Sequence, residues 1–156
     1  MLKYGGKAMN KKGVTLLELI IVMVIIAIGA TLMVPAIGSW IPHYRLRSAT
    51  RDIVSTMRTA QMKAISTNTD HRVSFNTANR SYLIQRRDGT NWVPDGAQQT
   101  LPNGVGITIS TNNFEFNPNS TATGGNVTLT IRRGAQVIGQ RRIIIVPTTG
   151  RIRIEE

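Results

Sequence analysis

Between Val14 and Val34 the chain reads VTLLELIIVMVIIAIGATLMV, 21 residues with one charge, Glu18. As a helix this run is about 31 Å long at ~1.5 Å per residue, the thickness of a bilayer's hydrocarbon core. Lys3, Lys7, Lys11 and Lys12 precede it without an acid, which by the positive-inside rule holds the N-terminus in the cytoplasm. A secretory signal peptide also joins a basic start to an apolar stretch. Three features count against one here: the run is too long, no clean small-x-small pattern closes it, and Glu18 interrupts it. After it roughly 110 residues remain, enough for one small domain with its own core.

Glu18 is the informative residue of the run. An acid inside a membrane helix costs up to about 3 kcal/mol at the bilayer centre and less near an end, so it points to function. A structural role is also open. Thr15-Leu16-Leu17-Glu18 fits a capping box, in which Thr15 and Glu18 satisfy orphan amides of the first helical turn. The two roles are compatible.

The segment Lys11-Lys12-Gly13-Val14-Thr15-Leu16-Leu17-Glu18-Leu19 resembles the class III leader of type IV pilins and pseudopilins. The resemblance implies cleavage by a prepilin peptidase after Gly13 and methylation of the new Val14 amine. It also implies that the Glu18 carboxylate meets the N-terminal amine of a neighbouring subunit during assembly. A buried carboxylate becomes tolerable when a cation arrives to pair with it. Val14 departs from the phenylalanine usual in that family, and Pro35 falls where its members carry a helix-kinking proline. The domain boundaries that follow are a leader at 1–13, a transmembrane and assembly helix at 14–41, and a head at 42–156.

Past Pro35 and Pro42, Leu46, Ala49, Ile53, Met57, Ala60 and Ala64 recur in steps of three and four, which marks one helix face. Arg45, Arg47, Arg51, Arg58 and Lys63 fall mostly off it. One long helix from about Thr15 to Ile65 is expected, the first half in the membrane and the second packed on a sheet, ending at Asn68-Thr69-Asp70. Short strands and turns follow. Arg72–Asn76 and Ser81–Arg86 flank a turn at Thr77–Arg80, and Gly104–Ser110 is expected to pair with Phe114–Asn117. Residues 118–126 form a Ser/Thr/Asn/Gly loop expected to be mobile. Val127–Arg132 and Gln136–Val146 flank Arg133-Gly134-Ala135, and a last strand, Arg151–Ile154, follows Pro147–Gly150. The predicted class is α+β, a long helix on a mostly antiparallel sheet.

This order resembles the GspH/FimT subgroup of pilin-like proteins over the whole chain. Ala49–Asn68 is similar to its helix entering the head, and Phe114-Glu115-Phe116-Asn117-Pro118 to its phenylalanine-rich strand. Gly150-Arg151-Ile152-Arg153 is similar to the G-R-x-R ending of its DNA-binding members.

No catalytic constellation, cofactor motif or metal cluster stands out, so an enzyme is not expected. The only histidines, His43 and His71, read as surface or boundary residues. Asp70, Asp88 and Asp95 stand isolated, which argues against a calcium cage. With no cysteine in the chain, disulfides and thiolate metal sites are excluded. Trp92 reads as a core or hairpin contact, and Trp40 stands where an interfacial anchor would.

The formal charge of +11 is the remaining signal. From Pro42 onward all cations but Lys63 are arginines, whose planar fork suits phosphate. Arg132-Arg133 border one turn, Arg141-Arg142 stand in the next strand, and Arg151 and Arg153 lie near the C-terminus. Residues i and i+2 of a strand share a face about 6.7 Å apart, close to the ~6.8 Å rise of two nucleotide steps. Arg151 and Arg153 can thus meet alternate phosphates while Ile152 and Ile154 pack inward. The competing reading is an edge strand guarded by charge. With few aromatics, backbone contact without base readout is expected.

Two functions survive. One is a minor pilin of a type IV pilus-like filament that binds extracellular DNA for uptake. The other is a minor pseudopilin of a type II secretion system with a structural role. Both place the chain in the inner membrane with a periplasmic or extracellular head and other pilins as partners.

Overall fold

The computed structural model describes residues 13–155, apart from the side chains of 32–37 and 39. The leader lysines, the remainder of the leader before Gly13, Glu156 and the ring of Pro35 therefore lie outside the described residues. The chain divides into an N-terminal unit up to Gly38 and a head from Ser39 onward.

Helix α1 spans Leu16–Thr67, with Pro35 and Pro42 inside its bounds. Its start carries the Thr15 half of the predicted capping box: Thr15 Oγ1 accepts the Glu18 amide at 3.2 Å. In the N-terminal unit every large apolar side chain from Val14 to Ile28 is at least 50% exposed. Among the described residues no helix is long and apolar enough to cross a membrane. The described side chains of this stretch end at Thr31, whereas the apolar run continues to Val34.

In the head, α1 buries Leu46, Ala49, Ile53, Met57, Ala60 and Ala64, the predicted stripe, together with Thr50 and Val54. Thr50 is tolerated there because its hydroxyl donates to the Leu46 carbonyl at 2.7 Å. The helix stops where Asn68 takes a left-handed φ of 51°. The Thr69 amide then closes on the Ala64 carbonyl at 3.2 Å, the 6→1 bond of a Schellman C-cap.

Among the described residues nine strands follow, in two antiparallel sheets. β1 (His71–Asn76), β2 (Ser81–Asp88), β3 (Asn91–Pro94) and β6 (Asn113–Phe116) run in the order β3-β2-β1-β6, and β4 (Gln99–Thr100) pairs with the start of β2. The second sheet has the order β5-β7-β8-β9, from Val105–Ile109, Gly125–Arg133, Gln136–Ile145 and Ile152–Glu155. Among the described residues the buried apolar side chains all fall between Leu46 and Ile145, so the head carries its own core.

Several expectations are corrected here. The Gly104–Ser110 and Phe114–Asn117 segments do not pair with each other. β5 pairs with β7, and β6 joins the free edge of β1, where Phe114 meets Phe75 edge-on with centroids 5.8 Å apart. That aromatic contact is worth about 0.5–1.5 kcal/mol beyond area burial, and the Phe75 amide holds the crossing chain at the Asn112 carbonyl, 2.8 Å away. The loop after Phe116 is pinned. Its Ala122 amide donates to the Pro147 carbonyl and its Thr123 amide to the Glu115 carbonyl, at 2.9 and 2.8 Å. β3 and β4 carry no apolar alternation strong enough to mark them in advance.

Candidate functional site

The processing and assembly residues come first along the chain. Gly13, Val14 and Glu18 are all exposed, and the Glu18 backbone is committed to the cap while its carboxylate faces outward.

The arginine excess divides into two kinds. Some arginines hold the head together. Arg80 donates to the carbonyls of Pro102 and Val105 at 2.6 and 3.1 Å, tying the first hairpin to the start of β5. Arg72 stacks 4.3 Å over the Trp92 ring and lies 4.0 Å from Glu115. Burial lowers its pKa and Glu115 opposes that shift. Trp92 is therefore the hairpin contact expected of it, and its face is occupied. Arg87 pairs with Asp70 at 3.2 Å, and Arg45 donates to the Asn103 carbonyl at 3.2 Å.

The other kind clusters on β8 and β9. Directly paired antiparallel residues share a face. Arg142 opposes Glu155 and Ile144 opposes Arg153, whereas the buried Ile143 and Ile145 oppose Ile154 and Ile152. Arg142 and Arg153 thus project from the outer face of the second sheet. Arg151 precedes β9, but the Val146 amide donates to its carbonyl at 3.0 Å. That bond extends the ladder by one residue, and alternation puts the Arg151 side chain on the same outer face.

Gly150 explains why this turn needs its glycine. Its φ is +60°, and a Cβ there would stand 2.5 Å from the Ser120 carbonyl oxygen and 2.6 Å from Gln61 Nε2. The turn is pressed against α1 and the 118–126 loop, which aims the two arginines that follow.

The structure does not gather all six predicted arginines. Arg141 opposes the buried Leu129 and lines a hollow with Trp40, His43, Tyr44 and Arg47, on the face opposite Arg142. Arg132 shares the outward parity of Thr128 and Thr130, but stands about 13 Å along β7 from the Arg142 row at ~3.3 Å per residue. Arg133 lies past the irregularity at Ile131/Arg132, on the other parity. Ile154 is 43% exposed rather than packed in the core. Glu155 enters the cluster as well, 3.8 Å from Arg153.

A polar triad built around one buried histidine forms a separate feature that sequence reasoning missed. His71 is fully buried, contrary to a surface placement, with Nδ1 2.8 Å from the Thr69 carbonyl and Nε2 3.2 Å from Asp95 Oδ2. Lys63 Nζ reaches the same carboxylate oxygen at 2.8 Å. The hydrogen bond from Lys63, with a smaller contribution from His71, draws the Asp95 pKa below its ordinary value. The triad joins α1, β1 and the segment after β3. No spacing in the sequence marks it, because its members are 8 and 24 residues apart and meet only through the fold.

Residues 8–34 match the model of the prokaryotic N-terminal methylation motif, and residues 49–150 match that of the family described as type II transport protein GspH. No curated protein is significantly similar in sequence. Among solved structures, the chain is similar to the minor pseudopilin EpsH of the Type 2 Secretion System of Vibrio cholerae. The TM-score is 0.62 at 13% identity, covering 71% of this chain and 96% of that one. It is similar also to the type IV minor pilin FimU of Pseudomonas aeruginosa, with TM-score 0.58 at 16% identity over 73% and 90% of the two chains. At these identities the likeness is one of fold.

Proposed function

The chain belongs to the type II transport protein GspH family, and from that premise we propose that it is a minor pilin of a type IV pilus-like filament that binds extracellular DNA for uptake. The N-terminal unit supplies anchor and assembly surface. Its apolar side chains are exposed all round, a pattern that needs lipid or neighbouring helices to cover it. In the precursor, Val14–Val34 spans the inner membrane with the lysines on the cytoplasmic side. Prepilin peptidase removes residues 1–13, and Glu18 pairs with a neighbour's methylated Val14 amine in the filament.

The single observation behind DNA binding is the shared outer face of Arg142, Arg151 and Arg153, held in place by the Gly150 turn. Three guanidiniums on one sheet face, with no base-reading helix or free aromatic platform beside them among the described residues, suit phosphates and not base edges. A mobility shift on the full chain in neutral detergent tests it. Binding should be insensitive to sequence and fall steeply with salt. Replacing all three by Gln should flatten the log–log salt slope on duplex by up to about 0.9 for each phosphate no longer neutralised. Normal binding by the triple variant would overturn the assignment.

The second reading, a minor pseudopilin of a type II secretion system, is favoured by Glu155. This acid stands opposite Arg142 and beside Arg153, reducing the positive charge a polyanion would meet. β9 also ends its sheet, where charge guards an edge against misplaced pairing. Absence of any shift at low salt would establish this reading over the first.

A further inference from the structure

Beside β9, on the face away from Arg153, a groove of about 360 Å³ runs along α1, lined by Arg51, Val54, Ser55, Arg58, Met62 and Ile154. Arg51 and Arg58 are seven residues apart, so they stand on nearly one line of the helix about 10.5 Å from each other. Neither has an ion-pair or hydrogen-bond partner among the described residues. The nearest acid on α1, Asp52, turns away. It accepts from the Ser48 hydroxyl at 3.3 Å and faces Tyr82, whose phenol is pushed up to about 12 by burial first and by Asp52 second. No carboxylate lines the groove among the described residues. Exposed apolar side chains line the same groove, Met62, 62% exposed and about one turn past Arg58 on α1, and Ile154, 43% exposed, from β9. The outer edge of β9 has no strand partner among the described residues.

We propose that this groove is a track for a single-stranded polynucleotide, with phosphates on Arg51 and Arg58 and unpaired bases against Met62 and Ile154. The proposal rests on the nucleic-acid reading above and adds four side chains to it. Charge complementarity identifies a polyanion, and the exposed apolar floor selects a single strand. A duplex keeps its base faces stacked inside and presents only phosphates and groove edges, so it gains nothing from Met62 or Ile154, whereas a single strand offers both. The outer arginines and the groove then occupy the two faces of one edge strand, and a strand leaving one reaches the other around β9.

The test uses the full chain in neutral detergent, with fluorescence anisotropy of a labelled oligothymidylate and of a mixed-sequence duplex. Arg51→Gln with Arg58→Gln should weaken the single strand about tenfold or more and flatten its salt slope by up to about 1.4, at ~0.7 per neutralised phosphate. Duplex affinity should change less than about twofold. Met62→Ser should weaken the single strand without altering the slope. All three side chains are exposed, so unchanged thermal unfolding is expected and separates binding from folding.

If the wild-type chain binds neither nucleic acid, the parent reading fails and the groove assignment falls with it. If the duplex depends on Arg142, Arg151 and Arg153 while Arg51→Gln with Arg58→Gln leaves the single strand unaffected, the groove assignment alone is overturned. If that pair of changes weakens an acidic peptide and not the oligonucleotide, the groove serves a protein partner and the proposal is likewise overturned.

Discussion

Leu16–Ile28 and Leu46–Ala64 are stretches of one helix, both rich in apolar residues, and they solve the problem of apolar surface in opposite ways. In the first, large side chains are exposed on every side. In the second, small and branched residues in steps of three and four are buried, and the arginines between them stay outside. A stripe can be covered by the chain's own sheets. An apolar surface all round the axis cannot, so it needs lipid or other helices. The first stretch therefore determines where the protein resides and what it joins, and the second determines what it folds into.

The sharpest way to break this contrast is at Glu18. Glu18→Ala removes a charge that is costly in a membrane, so insertion should persist while incorporation into sheared filaments is lost. Equal amounts of variant and wild type in filaments would show that the carboxylate has no role in assembly. The same filaments, analysed by N-terminal mass spectrometry, should start at a methylated Val14. A terminus near Ile41 would instead indicate an ordinary signal peptidase.

Core truncation comes next. Phe114→Ala should cost the head about 3–5 kcal/mol and Ile53→Ala about 2–5 kcal/mol in urea unfolding. Ile25→Ala, of the same chemistry as the second, should stay within about 0.5 kcal/mol, because its side chain is exposed and belongs to the other unit. A comparable loss at Ile25 would mean that the first stretch belongs to the folding unit.

Gly150→Ala should destabilise by about 1–3 kcal/mol through the left-handed φ alone, with the close approach to Ser120 and Gln61 adding to it. It should also weaken DNA binding without removing a charge. Retained stability would show that the turn can move, and with it the two arginines.

The smallest effect concerns pH. The folded Asp95 pKa lies below the ordinary 3.8, so the carboxylate stabilises the fold above that value. The contribution is lost as pH falls through the lower folded pKa. Asp95→Asn should therefore lower stability at neutral pH and flatten its decline below about pH 4. An unchanged acid limb in urea titrations would show that the triad is energetically neutral.

Much of this was legible locally. The apolar run, the Gly13-Val14 junction, the α1 stripe and the first hairpin each depend on residues close in sequence, whose periodicity reports the face they present. The alternation at Arg151 and Arg153 is of the same kind, since strand parity is a local property. What parity does not tell is who the neighbours are. Arg141 and Arg142 are adjacent in sequence and stand on opposite faces. Glu155 reaches Arg142 only through the β8–β9 register, and β6 pairs with β1 because Phe75 is there to receive Phe114. The buried His71 and the groove of Arg51, Arg58 and Ile154 join residues far apart in the chain. Periodicity and propensity are set by near neighbours and can be read from sequence. Strand partners, buried polar contacts and charged surfaces are set by long-range closure, and only the tertiary structure decided them.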